Sequence, residues 1–548
     1  MAVLLFVKTN GQDNHAEIIR EAKGSVYQYS VPVGPRQAYL WIPPACVHVR
    51  GVIISLSNLL ERDWLEDPLI RQTAAEEGLG IIWVGPGGKG AALTADLAPG
   101  GPEALQQMMK NLAEESGYAE IEWAPFIAMG HSANGHFSWK LAAWDPGRTI
   151  AAIPIKTIPL PAELGFTGVP LCYIVGETTE WPQYRDGRPG DRDFFWPVVR
   201  NSALELRGLD KNNLVGVVTD PGGGHFDWSS HLARFVALYI RKACQYRLPV
   251  VSPATGPVAL KKIDPDSGWL TGTGGMEADS FPPMPSPGHD PNRAWWWFDK
   301  ETALAAAAFE GDRQPREKQM LTFIQDDTLL PVAKLGFAPL RFEPDTDGLS
   351  FKLRGGFLSE LPAELTRAGQ RLGHAPGPIG MRVITGPAVQ TGPYTFRVQF
   401  DRQGAGGDIW IQEEHPGNAQ YRHAVQPGKL HLPARLTEGR PQRISFPAIG
   451  DQRAGVKTVT LRAGTKSIAK AGTKTIVLKG VADSGLPVGY YVVAGPAFVE
   501  GHMLFLTPIP VKSKYPVKVT VVAYQWGRTI APLYQSAEPV TQTFFIVK

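Results

Sequence analysis

The run Ala128-Met129-Gly130-His131-Ser132-Ala133-Asn134-Gly135-His136 constrains this chain more than any other stretch. The apolar segment Ala124–Met129 enters it, and a helix-like pattern, Phe137–Trp144, leaves it. A Gly-X-Ser-X-small turn between a strand and a helix is sharp. Its first position has no room for a side chain, so Gly130 fits there. The turn lifts the Ser132 hydroxyl out of the sheet. It also sets the next backbone N–H, that of Ala133, at a helix N-terminus, where it can stabilise an oxyanion. The usual last glycine is Asn134 here, with Gly135 one step later. Asn tolerates tight turns, so the geometry survives the exchange.

A serine in such a turn needs a base and an acid, each after a later strand. Val169–Val175 is a short apolar run that reads as a buried strand, followed by Gly176-Glu177-Thr178-Thr179-Glu180-Trp181-Pro182. Leu214–Thr219 is a second such strand, followed by Asp220-Pro221-Gly222-Gly223-Gly224-His225-Phe226-Asp227. A glycine-rich loop with one histidine can swing the imidazole over the sheet edge. Ser132, Glu180 or Glu177, and His225 then meet at the carboxyl ends of neighbouring strands, where open α/β sheets place their sites. A serine hydroxyl is a weak nucleophile until a base takes its proton, and His225 is the candidate base. A buried carboxylate would fix its tautomer. Glu180 is favoured over Glu177 because it lies further around the loop and precedes Trp181-Pro182. His131 and His136 sit in and just after the turn, and are read as orienting or packing groups. His231 is read as a helix histidine.

The order and spacing of these residues resemble the α/β-hydrolase family over about residues 25–245. The resemblance implies a doubly wound, mostly parallel sheet and a serine carboxylesterase that works through an acyl-enzyme without a cofactor. It also implies a second oxyanion N–H from the loop after an earlier strand. Arg50–Leu56 is that strand, and Asn58 or Leu59 is the expected donor, although the His-Gly pair of many hydrolases is absent. Glu61, Asp63 and Trp64 follow, and read as solvated residues at a helix start, with a part in shaping the substrate entrance as the alternative. No cap domain is visible, so an open site is expected. The loop Trp181–Trp196 follows the acid, and Trp181, Tyr184, Phe194 and Trp196 are candidates to line a substrate cleft. Gly85-Pro86-Gly87-Gly88-Lys89-Gly90 lacks the Gly-Lys-Ser/Thr spacing of a phosphate loop and reads as a plain strand exit.

At 548 residues the chain is too long for this domain alone. Its formal net charge of +3 gives no argument for nucleic acid, and it has no apolar run long enough for a membrane span. Met1–Val7 is too short an apolar core for a secretory leader. The expected location is secreted or periplasmic, with the leader missing from this sequence; a cytoplasmic one stays open. Cys46, Cys172 and Cys244 show no metal-ligand spacing and no disulfide framework, and no metal site is expected.

After about residue 250 the composition shifts. Pro253–Pro291 reads as a Pro/Gly-rich connector. Trp295-Trp296-Trp297 then leads into an alanine-rich helix, Lys300–Phe309, with the tryptophans wedged between domains or forming a sugar-stacking platform. Residues 319–439 carry short alternating runs such as Leu349–Leu353, Thr395–Phe400 and Asp408–Gln412, the pattern of a β-sandwich. Residues 440–548 carry about seven more, including Arg443–Phe446, Thr458–Arg462 and Val517–Tyr524, and resemble bacterial Ig-like accessory modules. The expected substrate is a polymeric ester: acetylated or feruloylated plant polysaccharide, or else a polyester. The competing reading is a non-catalytic carbohydrate-binding or adhesion protein with a hydrolase-like domain.

Overall fold

The apolar runs of the first half pair into one sheet of eight strands: β1 (Tyr29–Val33), β2 (Arg36–Trp41), β3 (Gly51–Leu56), β4 (Leu79–Val84), β5 (Phe126–His131), β6 (Thr149–Ile155), β7 (Leu171–Gly176) and β8 (Val215–Asp220). A computed structural model describes residues 26–87, 90–176, 192–221, 223–253, 255–273, 280–281, 293–311, 316–331, 336–362, 369–403, 406–454 and 475–548. The strand order is β1-β2-β4-β3-β5-β6-β7-β8. Strand β2 runs antiparallel to β1 and β4, and every other pair is parallel. Strands β3 to β8 are buried along their whole length, as expected of a parallel sheet covered on both faces. Alternation sorts their side chains. Val52, Ile54 and Ala128 pack with Leu105, Met108 and Leu112 of helix Gly101–Ser116. Ile53, Ile127 and Met129 face the opposite core, with Ile70 and Ala74 of helix Pro68–Glu77 and Phe235 and Ile240 of helix Ser230–Arg247.

The three tryptophans are neither an exposed platform nor part of a helix. Trp295–Trp297 is a strand paired with Trp269–Thr271, and all three indoles are buried in the core beneath β8. A Cβ at Gly216 of β8 would lie 2.7 Å from the Trp297 ring, so a glycine is what lets the two strands close up. Helix Lys300–Gly311 follows and joins the same core through Ala303, Ala306 and Phe309. The chain thus returns to the first domain well past residue 250. All three cysteines are free.

Two β regions follow. In the middle one, the four-stranded sheet Ala338–Pro339, Ala424–Leu432, Gly407–His415, Gly380–Thr385 stands with two three-stranded sheets around Phe323, Phe351, Phe396 and Ile409. In the last, a four-stranded sheet (Gln452–Arg453, Val540–Val547, Val517–Tyr524, Gly489–Ala494) accompanies a three-stranded one (Thr475–Val477, Met503–Leu506, Ala497–Glu500). The expected strand Thr458–Arg462 lies outside the described residues. Neither region hangs free. Lys514 donates its N–H to the Ser116 carbonyl at 2.9 Å, and Gly495 donates to the Tyr27 carbonyl at 2.9 Å. Phe400 of the middle region donates its N–H to the Tyr524 hydroxyl at 3.1 Å.

Candidate active site

Strand β5 runs straight into the turn. Ser132 has φ +52°, a left-handed conformation that a side chain adopts only under local compulsion. The compulsion is visible in its neighbours. A Cβ on Gly130 would lie 2.3 Å from the Asn134 carbonyl oxygen, and one on Gly135 would lie 2.2 Å from Thr157 Cβ. The second close approach therefore falls on Gly135, not on the position Asn134 occupies. Thr157, two residues past β6, donates its Oγ1–H to the Ser132 carbonyl at 2.6 Å and holds the turn from that side.

Asn134 has its own task. Its Nδ2 donates to the Ser57 carbonyl at 2.8 Å and to the Leu56 carbonyl at 3.4 Å. Asn58 returns the link, its Nδ2 reaching the His131 carbonyl at 3.2 Å. The turn and the loop after β3 are thus stitched together by two amide side chains.

The loop after β8 brings His225 to the serine. His225 Nε2 lies 2.8 Å from Ser132 Oγ, with the histidine mostly buried and the serine partly exposed. The His225 ring meets Phe226 edge-on at 4.5 Å between centroids, and beneath it lies His131. His131 is fully buried, and its Nε2–H donates to the His225 carbonyl at 2.8 Å. Burial, then the neighbouring imidazole of His225, pull the His131 pKa well below its ordinary value, so His131 is a neutral strut. His136 contacts Asp96 at 2.9 Å, away from the serine.

The base of the His225 loop is set by a buried charge cluster absent from the sequence-level expectations. Lys156 Nζ lies 2.9 Å from Asp220 Oδ2 and 3.1 Å from Asp227 Oδ1, and donates to the Asp227 carbonyl at 2.8 Å. Gly224 donates its N–H to Asp227 Oδ1 at 2.6 Å. Burial pushes the Asp220 carboxyl up to about 6, against the pull of Lys156.

The expected acids, Glu177 and Glu180, lie outside the described residues, as do Trp181 and Tyr184. Phe194 and Trp196 belong to helix Arg192–Leu209 rather than to a loop. Ala133 sits exposed in the one-turn helix Ser132–Asn134 that begins at the serine. Asn58 and Leu59 are on the loop after β3, but their N–H groups do not stand open to an oxyanion. Both donate to Glu61 Oε2 at 2.8 Å.

Glu61, Asp63 and Trp64 are not solvated. All three are buried, because helix Glu61–Leu65 packs under the site and not on the surface. Glu61 Oε1 also accepts the His131 N–H at 3.0 Å. Burial pushes this carboxyl up to about 7, with the N–H groups of Asn58, His131 and Leu59 pulling the other way. Its place three residues past Asn58 was the available sequence signal, since a Glu side chain there is long enough to reach back to the loop's amides.

No family model matches this chain, and no curated protein matches it. Solved structures do match. The poly(3-hydroxybutyrate) depolymerase LpqC from Bordetella parapertussis is 16% identical, and the match covers 42% of this chain and 96% of that one at a TM-score of 0.28. Est1E from Butyrivibrio proteoclasticus is also 16% identical, with 40% of this chain and 97% of that one covered at a TM-score of 0.27. The sheet order with its antiparallel β2, the serine turn after β5 and the histidine after β8 together give the N-terminal domain an α/β-hydrolase fold.

Proposed function

We propose that the chain is a serine carboxylesterase. The observation that carries this reading is Ser132, held at positive φ with its Oγ 2.8 Å from His225 Nε2. In the reaction, Ser132 Oγ attacks the ester carbonyl while His225 Nε2 takes its proton. The oxyanion is stabilised by the Ala133 N–H. The carbon–oxygen bond to the alcohol breaks, His225 protonates the leaving oxygen, and an acyl-enzyme remains on Ser132. Water, deprotonated by the same imidazole, then releases the acid. Glu180, or in its place Glu177, is the acid that orients His225.

The partial exposure of Ser132 and the docked β regions support a polymeric substrate. Acetyl or feruloyl esters of plant polysaccharide come first, and a polyester second. The last β region, with its four- and three-stranded sheets, is read as Ig-like. Among the described residues no helix is long and apolar enough to cross a membrane.

The test is burst kinetics with a nitrophenyl acetate series on the wild type, Ser132→Ala and His225→Ala. A burst in the wild type and its loss in both variants supports the esterase. A folded wild type that neither turns over nor takes up a serine-directed phosphonate overturns it in favour of the binding protein.

A further inference from the structure

Arg382 lies on strand Gly380–Thr385 of the middle β region, with 13% of its side chain exposed. Its guanidinium reaches into the first domain and grips two pieces of it. Nη1 donates to Asp63 Oδ1 at 2.9 Å and to Oδ2 at 2.6 Å. Nη2 donates to the Trp228 carbonyl at 2.6 Å and to Gln412 Oε1 of its own sheet at 3.1 Å.

Both targets lead directly to the proposed catalytic groups. Asp63 sits on helix Glu61–Leu65, two residues from the carboxylate that holds the amides of Asn58, Leu59 and His131. Trp228 is three residues past His225 on the same loop, and its Nε1 donates to Asp67 at 3.0 Å. The planar fork of an arginine is suited to holding a carboxylate and a carbonyl at once; a lysine is not.

Two further contacts from the same β region act on the same two pieces. Asp401 takes the Arg62 guanidinium at 2.5 Å, one residue from Glu61. Trp410 lies against Phe226, ring centroids 4.5 Å apart, and Phe226 in turn meets the His225 ring edge-on.

We propose that Arg382 is a positioning residue for the esterase site, locking the helix that carries Glu61 to the loop that carries His225, so that the middle β region is part of the catalytic unit. The inference rests on the esterase reading. A buried ion pair spanning two domains holds geometry within the narrow tolerance that catalysis requires.

The test uses the full chain as Arg382→Lys, Arg382→Gln and the charge-balanced double variant Asp63→Asn/Arg382→Gln. Turnover is expressed per serine titrated by a phosphonate, alongside the thermal midpoint. The expected result is a kcat at least tenfold lower in Arg382→Gln, with KM within about twofold of the wild type. Phosphonate labelling should slow by a similar factor, and Arg382→Lys should recover only part of the loss. The double variant leaves no buried unpaired charge, so it should regain thermal stability while kcat stays low, because the Trp228 tether is still gone. If the double variant is folded and turns over at the wild-type rate per titrated serine, Arg382 only braces the fold and the inference fails alone. A wild type with no turnover fails the esterase reading first, and this inference with it.

Discussion

The Glu61 carboxylate and the His131 N–H are joined at 3.0 Å, one residue before the serine, while the other oxygen of the same carboxylate takes the N–H groups of Asn58 and Leu59. One buried side chain thus spans the two segments from which an oxyanion pocket would be built. Glu61→Gln keeps the shape and offers only one accepting oxygen, so at least one N–H among those of His131, Asn58 and Leu59 loses its partner. The expected cost is about 1–3 kcal/mol of stability, read by chemical denaturation. A fall in kcat of about tenfold is expected as well, because the loop shifts against the serine.

The same carboxyl makes stability depend on pH with a definite sign. Its pKa rises on folding from 4.5 to about 7. Between those values the folded chain binds more protons than the unfolded one, so stability falls as pH rises through this window and levels off above it. The share due to Glu61 is on the order of 3 kcal/mol. The wild type should therefore lose stability relative to Glu61→Gln between pH 4.5 and 7. A difference between the two proteins that does not vary with pH would show that Glu61 does not titrate there.

Asn134 stands where the motif usually has glycine, and restoring the glycine should harm the protein. Asn134→Gly removes the donors to the Ser57 and Leu56 carbonyls. It should lower stability by about 1 kcal/mol and reduce kcat severalfold, with KM little changed. Equal or higher turnover in Asn134→Gly would mean that Glu61 and Asn58 hold the loop after β3 in place without it.

The serine turn and the histidine loop were legible because both are local: a glycine before the serine, three glycines before the histidine, each next to an apolar run that forms a strand. The edges of β5 and β7 shifted by a residue or two, and helix Phe137–Trp144 matches its pattern. What stayed hidden depends on distant neighbours. Glu61 and Asp63 read as surface residues because charge near a helix start is usually solvated. Only the tertiary fold supplies the amides of His131 and the guanidinium of Arg382 that keep them inside. The tryptophans Trp295–Trp297 misled for a related reason. A run of indoles points alternately to both faces of a strand, and here both faces are covered.

Gly130 and Gly135 make a paired prediction. Gly130→Ala puts a methyl against the backbone oxygen of Asn134, which cannot move without opening the turn. The loss should be about a hundredfold or more in kcat/KM, with the rest of the fold retained. Gly135→Ala meets the Thr157 side chain instead. Adding Thr157→Gly relieves that clash but gives up the Thr157 hydrogen bond to the Ser132 carbonyl. The double variant should therefore recover stability more fully than activity, as measured by melting and by nitrophenyl acetate turnover. Full recovery of activity would show that Thr157 does not hold the serine turn.

Lys156 is fully buried between Asp220 and Asp227, beneath the loop that carries His225. Lys156→Met removes the ammonium that bridges a pair of buried carboxylates, and should cost about 3–5 kcal/mol. The pH dependence discriminates. Without Lys156 the Asp220 carboxyl, already raised to about 6, rises further, because the main pull that opposed its burial has gone and only the weaker one from His423 stays. The folded variant then holds a proton that the unfolded chain gives up above its ordinary pKa of 3.8. Its stability must fall as pH rises. The deficit against the wild type should be smaller at pH 5 than at pH 8. At pH 8 the His225 loop should loosen, with faster hydrogen exchange at Gly224 and loss of turnover. A deficit equal at both pH values would assign Lys156 to packing rather than to charge balance.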